Sequence, residues 1–472
     1  MNKHTRILLA VASTLFTVGA RAADEDLRSL IKEMSRQVTE LKAQAKQSDA
    51  RMQELEKMLE QKREGDRKML AASIATPSVS RNEGAVSPGN DPVKTAKPAV
   101  TEGDIPGTFK IPGTETSVGI GGFTKLDANW SSASAGANKA GDYSLFIPQI
   151  PVGVQPGEDS QTTFNARESR FWFKSFTPTK LGNINTVLEL DLYGSASSYT
   201  PRLRLAYGSI GNFLAGQAAS TFSNEAALPE LLDNGGSAGS IKVRQPLVRW
   251  TQPFTIADAP MEFQAAAEAP NSQILTGAWN PNTPEALTNP NSERYPDMIA
   301  RFNYKPSWGS FSLAGMARQI RYTGATVQQE AWGGAASFAG TVNVYGHDNI
   351  RFILTAGNAF GRYADPHALN DAALDANGQM SLVKEYGALF AYQHWWSPAW
   401  RSTASYGFLQ ADQPSFVNPA MTRQAQTFHA NLLWNPVLPV TLGLEYIYGT
   451  RELVDRRDGS LHRMQFSAKY NF

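Results

Sequence analysis

The chain has 472 residues, 42% hydrophobic and 10% aromatic, with a formal net charge of +1 and no cysteine. Disulfides and thiolate metal sites are therefore excluded, and the near-neutral charge offers nucleic acid no footprint. No run approaches the ~18 apolar residues of a membrane helix; the composition suits a large soluble β protein or a membrane barrel that hides its apolarity in alternation.

The N-terminus reads as a signal peptide over residues 1–22. Lys3 and Arg6 supply the charge, Ile7 to Val18 the apolar run and Ala20-Arg21-Ala22 the cleavage site, so the protein is expected to leave the cytoplasm. Residues 23–70 carry Leu27, Ile31, Met34, Val38, Leu41, Ala45, Ser48, Met52, Leu55 and Leu59 at alternating spacings of four and three. That is the 3.5-residue period of a coiled coil. A lone helix would leave this seam wet, so oligomerisation is expected, with a trimer as the reading adopted. A partly disordered charged helix is the alternative at this length. Residues 71–104 lose the pattern among Pro77, Pro88, Pro92 and Pro98 and read as a flexible periplasmic linker.

Residues 105–472 are expected to form a 16-stranded antiparallel transmembrane β-barrel, which makes the fold all-β behind a short helical preface. At the C-terminus Met464, Phe466, Ala468, Tyr470 and Phe472 alternate with Arg463, Gln465, Ser467, Lys469 and Asn471, the period-2 signature of a strand with one apolar and one polar face. Fifteen such segments precede it. Among them, Leu126 and Ala128 oppose Lys125, Asp127 and Asn129. Phe171 and Phe173 oppose Arg170 and Lys174, and Leu188, Leu190 and Leu192 oppose Glu189 and Asp191. Leu203, Leu205 and Tyr207 oppose Arg202 and Arg204. In Ile241 to Thr251, Arg244 and Arg249 fall on opposite parities, which asks for a bulge or a strand end. Short links such as Ser209 to Asn212 and Asn435 to Pro439 alternate with mostly longer ones such as Ser131 to Ala166 and Ser223 to Ser240. Short periplasmic turns and long outer loops follow that rule. Trp395, Trp396, Trp400 and Trp434 read as an interface girdle.

Several segments resemble the DcaP-like porin family. They are Ile105-Pro106-Gly107-Thr108-Phe109-Lys110-Ile111-Pro112-Gly113 leading into Gly121-Gly122-Phe123-Thr124-Lys125-Leu126-Asp127, then Ser169-Arg170-Phe171, Pro201-Arg202-Leu203-Arg204, Ala215-Gly216-Gln217, Arg244-Gln245-Pro246 and Tyr392-Gln393-His394-Trp395-Trp396-Ser397-Pro398. The resemblance implies a homotrimeric outer-membrane channel favouring small organic anions, notably dicarboxylates.

The lumen-facing cations expected to line the pore are Arg170, Lys174, Arg202, Arg204, Arg244, Arg249, Arg301, Arg318 and Arg351, against carboxylates that include Glu189, Asp191, Glu262 and Glu445. A basic ladder focuses anions, and guanidinium groups hold carboxylates in a two-pronged fork. The opposing reading pairs these arginines with Glu189 and Asp191 as mere wall fasteners. The loop after the fifth strand, with Asn224, Glu225, Glu230 and Asp233, is the expected constriction; an ordinary outer loop is its alternative. No serine carries a nucleophile motif and His394 has no second ligand at useful spacing, so no enzyme, metal or cofactor is expected. The expected partners are outer-membrane lipid, further copies of the chain, small anionic solutes and, through the coiled coil, peptidoglycan or a periplasmic protein. A tether between membrane and cell wall is the competing function.

Overall fold

The computed structural model describes residues 101–472 apart from 134–142, 154–159, 196–197, 257, 277–285, 289–291 and 366–368. The expected signal peptide, coiled coil and nearly all of the linker lie outside the described residues. The last linker residues, Thr101–Glu102, pair with Phe109–Lys110 in a small hairpin that leads into the first long strand.

Sixteen antiparallel strands close into a barrel. They are β1 (Ser117–Ser131), β2 in two pieces (Gln161–Asn165 and Arg170–Thr177), β3 (Ile184–Asp191), β4 (Arg202–Ile210), β5 (Phe213–Ala219), β6 (Arg244–Ile256), β7 (Ala259–Glu268) and β8 (Asp297–Tyr304). The second half comprises β9 (Gly309–Thr323), β10 (Gln328–Asn343), β11 (Asn349–Asn358), β12 (Lys384–Ser397), β13 (Trp400–Asp412), β14 (Thr422–Trp434), β15 (Val440–Leu453) and β16 (Asp458–Asn471). Each pairs with the next, and β16 closes on β1 with Phe466 opposite Ala128 and Gln465 opposite Asn129. Closure leaves no unpaired edge, as a strand surrounded by hydrocarbon requires. The alternation predicted for β16 holds: Phe466 and Tyr470 are exposed outward while Arg463, Gln465 and Ser467 are buried inside. The tight link from β4 to β5 is Gly211-Asn212, with Gly211 at φ 55°. A two-residue hairpin with positive φ at its first position favours glycine there.

Two irregularities reset the early wall. Between β3 and β4 the register shifts: Glu189 faces Leu205 but Leu190 faces Leu203, so Arg204 is an extra residue. A bulge reverses the faces beyond it. Leu205 and Tyr207 thus share the lumen side with Glu189 and Val187, which corrects the outward placement read from uninterrupted alternation. In β2 the ladder breaks at residues 166–169. Ser169 stands in for it, its hydroxyl accepting from the Lys125 amide at 3.0 Å. The break turns Glu168 towards Lys125 and Arg170, at 2.5 and 3.3 Å.

At the end of the barrel that bears the long loops, Ile274–Thr276, Ala286–Thr288, Ala372–Leu374 and Met380–Leu382 form a four-stranded sheet from the loops after β7 and β11. Fully buried Arg318 on β9 ties the second of these loops down. It donates to Asp371 at 2.9 Å and to the Ala359 carbonyl at 2.8 Å, and lies 3.3 Å from Asp297.

Candidate pore and the strap across it

Residues 220–243, between β5 and β6, do not arch outward. They run along the inner wall, and every strand from β7 round to β16, then β1, fastens them. Glu268 on β7 accepts from the Thr221 amide at 2.6 Å. Arg301 on β8 donates to the Ser223 carbonyl, and Ser312 on β9 accepts from Asn224 at 2.8 Å. Thr341 on β10 donates to Ala226 O at 2.9 Å, and Arg351 on β11 donates to Leu228 O. Gln393 on β12 reaches Glu230 at 2.8 Å; Arg401 on β13 grips the same carboxylate with two bonds, at 2.7 and 2.5 Å. Asn431 on β14 donates to Glu230 O at 2.8 Å. Glu445 on β15, fully buried, accepts from the amides of Leu232 and Asp233 at 2.7 and 3.3 Å. Gln465 on β16 and Lys125 on β1 both donate to Leu232 O, at 2.9 and 2.6 Å.

The sequence of the strap suits this course. Asn224 caps the short 3-10 turn Glu225–Ala227, its side chain accepting from the Ala226 amide. Apolar Leu232 and Ala238 turn into the packed side of the lumen. Asp233 is buried, where it accepts from the Leu145 amide at 2.9 Å and lies 3.9 Å from Arg463. Burial pushes the Asp233 carboxyl up despite that arginine. At Glu230, burial likewise opposes ionisation, but the Arg401 fork outweighs it and holds the carboxyl below its usual value. A depressed carboxyl contributes its fastening in full above the ordinary carboxylate range, about pH 4.3 for glutamate, and loses it as pH falls through the lower folded value. Conductance is therefore expected to be flat from neutral pH down to that range and to change only below it. In Glu230→Gln the acid-induced change disappears; recording single channels across acidic buffers measures both.

These fastenings fall on β7–β16 and β1, and the inner face of β2–β6 lies beside them. There the arginines and carboxylates interleave. Arg202 holds Asp191 with two bonds at 3.0 and 2.6 Å, and Arg204 reaches Glu189 at 2.6 Å and Asp191 at 3.1 Å. Arg170 lies 3.3 Å from Glu168 and 3.9 Å from Glu189. Exposed Lys174 rests on the Trp172 ring at 4.3 Å. Arg244 falls on the outward parity with Pro246, Val248 and Trp250, while Gln245, Leu247 and Arg249 face in. No bulge separates the two arginines: Arg244 is simply the first residue of β6.

Of the nine predicted cations, then, Arg301 and Arg351 hold strap carbonyls, Arg318 is sealed within the wall, and Arg170, Arg202 and Arg204 are paired. Arg249 differs. Among the described residues no carboxylate comes within 4 Å of Arg249, Arg301 or Arg351, and Arg249 makes a long bond, 3.5 Å to Ala219 O. Arg249 and Arg301 line a polar cavity of about 260 Å³ with Ser223, Asn224, Gln264 and Asn303. Glu225 and Glu262 border it too, the latter 2.8 Å from Lys305. A second cavity, about 120 Å³, lies between Arg170, Glu168 and the strap residues Asp233 and Lys242.

Sequence reading missed Glu168, the inward turn of Tyr207 and the fastening role of Glu445. A ladder break and a bulge place the first two. Glu445 was visible as an inward carboxylate, but its partners are backbone amides more than 200 residues away, which carry no side-chain signal.

No curated protein matches the chain. The model of the DcaP outer membrane protein family matches residues 132–472. Among solved structures, the outer membrane channel DcaP of Acinetobacter baumannii is similar at 20% identity and a TM-score of 0.67, over 77% of this chain and 99% of that one. The anion-selective porin from Comamonas acidovorans is 12% identical with a TM-score of 0.48, over 76% of this chain and 100% of its own.

Proposed function

The chain belongs to the DcaP outer membrane protein family, and from that premise we propose that it is a homotrimeric porin through which small hydrophilic solutes, organic anions such as dicarboxylates above all, diffuse passively. The coiled coil of residues 23–70 would stand in the periplasm, where peptidoglycan or a periplasmic protein is its partner. The observation that supports the anion preference is the pair Arg249 and Arg301, which line one polar cavity of about 260 Å³ beside the strap; Glu225 and Glu262 border it, but among the described residues no carboxylate comes within 4 Å of either guanidinium. A guanidinium with no carboxylate partner at a narrow, low-dielectric passage attracts anions, and two of them suit the two ends of a dicarboxylate. The paired arginines of β4 contribute little net field, because Glu189 and Asp191 cancel them at contact distance.

Reconstitution of the purified protein in a planar bilayer tests this reading. Conductance steps in threes, a reversal potential that favours anions in a salt gradient, and block by added dicarboxylate are expected. Open but cation-selective pores would leave a porin and remove the anion mechanism. A folded barrel with no conductance would favour the tether, with the barrel as its anchor.

A further inference from the structure

We propose that the inner face of β1–β2, with Lys469 of β16, is a binding track for aromatic carboxylic acids. The proposal rests on the channel reading above and deepens it with a second class of solute, one that carries a single carboxylate and a ring.

Cross-strand register builds the track. Phe123 on β1 lies opposite Arg170 on β2, Gly121 opposite Trp172 and Gly119 opposite Lys174, while Lys469 lies opposite Lys125. These residues share the inward parity, and Phe171 and Phe173 are exposed on the other face. Successive rungs are two residues apart, about 6.7 Å along the strand. From the middle of the barrel towards the short turns, cation and ring alternate. The Lys469 ammonium lies 4.8 Å from the centre of the Phe123 ring, and the Arg170 guanidinium lies 5.3 Å from it. Next, the Lys174 ammonium lies 4.3 Å from the centre of the Trp172 ring.

Two features make this a place to bind and not only a decorated wall. The first is the seat of the indole. A side chain at Gly121 would strike the Trp172 ring, so glycine there lets the ring lie against the β1 backbone. The ring remains half-buried, and among the described residues its N–H donates to no protein group. The second is the state of the cations. Arg170 is paired with Glu168 and Glu189. Among the described residues, neither Lys174 nor Lys469 makes a hydrogen bond or has a carboxylate within 4 Å.

An exposed cation–ring contact is weaker than a charge-assisted hydrogen bond. A carboxylate in the lumen therefore draws the lysine off its ring and uncovers an aromatic face. An aliphatic acid leaves that face wet, whereas an aromatic acid covers it with its own ring, offset or edge-to-face. The Arg249–Arg301 cavity offers no such surface, for among the described residues no aromatic side chain lines it. That cavity suits two charged ends; the track suits one charge and one ring.

Benzoate and cyclohexanecarboxylate carry the same charge at nearly the same size, and only benzoate has a π face. Each would be added to the full protein in a planar bilayer, and the concentration that halves the current measured. Benzoate should block at a concentration lower by roughly 2- to 12-fold, the factor an aromatic pair contributes beyond its area. In Trp172→Leu that ratio should fall towards one. An anion-selective wild type that binds the two acids equally, or a Trp172→Leu channel that keeps the wild-type ratio, would overturn the track and leave the porin standing. A wild type whose reversal potential does not favour anions would overturn the channel reading beneath it. Should Trp172→Leu fail to fold, Lys174→Gln changes an exposed side chain and should weaken block by both acids about tenfold; unchanged benzoate block there would also overturn the track.

Discussion

Replacing Glu445 by alanine is expected to give a channel that folds, conducts more than the wild type and flickers. Glu445 is buried on β15 and accepts from the Leu232 and Asp233 amides, while Asn431 and His429 brace its carboxylate at 3.1 Å each. Alanine orphans two backbone donors in the lumen wall. Each buried donor left unmade costs about 1–3 kcal/mol, and that range corresponds to roughly 5- to 150-fold in the population of a released state. The barrel ladder is untouched, and Arg401, Lys125 and Gln465 still hold the neighbouring strap residues. The strap therefore loosens without the barrel unfolding. Glu445→Gln keeps the volume and one acceptor oxygen and should fall between the two. Single-channel recording reads conductance and noise together, and wild-type values in Glu445→Ala would show that the strap does not bound the pore.

The second large effect is expected at Arg249. Arg249→Gln should move the reversal potential towards cations and weaken dicarboxylate block at least about tenfold, because a hydrogen bond to a charged group contributes about 1.5–3 kcal/mol. The cleanest comparison is the double change Asp191→Asn with Arg202→Gln, which removes a pair with two bonds and leaves net charge unaltered. That variant should keep near wild-type selectivity. Arg301→Gln alone is less informative, since Arg301 also holds the Ser223 carbonyl. Equal shifts in the Arg249 variant and in the paired double variant would mean that total lumen charge, and not the unpaired guanidinium, sets selectivity.

A smaller effect is expected at the short-turn end. Asp348 accepts from Tyr392 at 2.6 Å and from the Trp395 amide at 2.8 Å, and His394 lies 2.7 Å away. Those hydrogen bonds, Tyr392 first, hold its carboxyl down at about 2. Its fastening is complete above the ordinary aspartate range, near pH 3.9, and is lost only as pH falls below that range through about 2. Asp348→Asn should therefore loosen the turn between β10 and β11 at neutral pH. Faster amide exchange at His394 and Trp395 would register it, and unchanged exchange would contradict it.

Alternation by itself determined the number of strands, their order and which residues of β1, β7, β8 and β16 look inward. A strand in a membrane wall has one oily and one wet side, so period two is written into every segment. The positions of the turns were equally legible, because glycine, proline and asparagine interrupt the period. The same logic failed at β4. A bulge adds one residue and reverses the faces, and nothing local in Arg202-Leu203-Arg204-Leu205 announces it.

The tertiary structure alone decided what the inward charges do. Arg202, Arg249, Arg301, Arg318 and Arg351 look alike in sequence, as cations on polar faces. One is paired across a strand, one is sealed in the wall, two hold carbonyls of the strap and one faces the cavity with little to hold. The difference lies in backbone oxygens and carboxylates brought within 4 Å by closure of the barrel and infolding of residues 220–243. Contacts such as those of Arg318 with Asp371, Arg301 with Ser223 and Arg351 with Leu228, 53, 78 and 123 residues apart, leave no periodic trace, so a lumen-facing arginine is legible in the sequence and its partner is not.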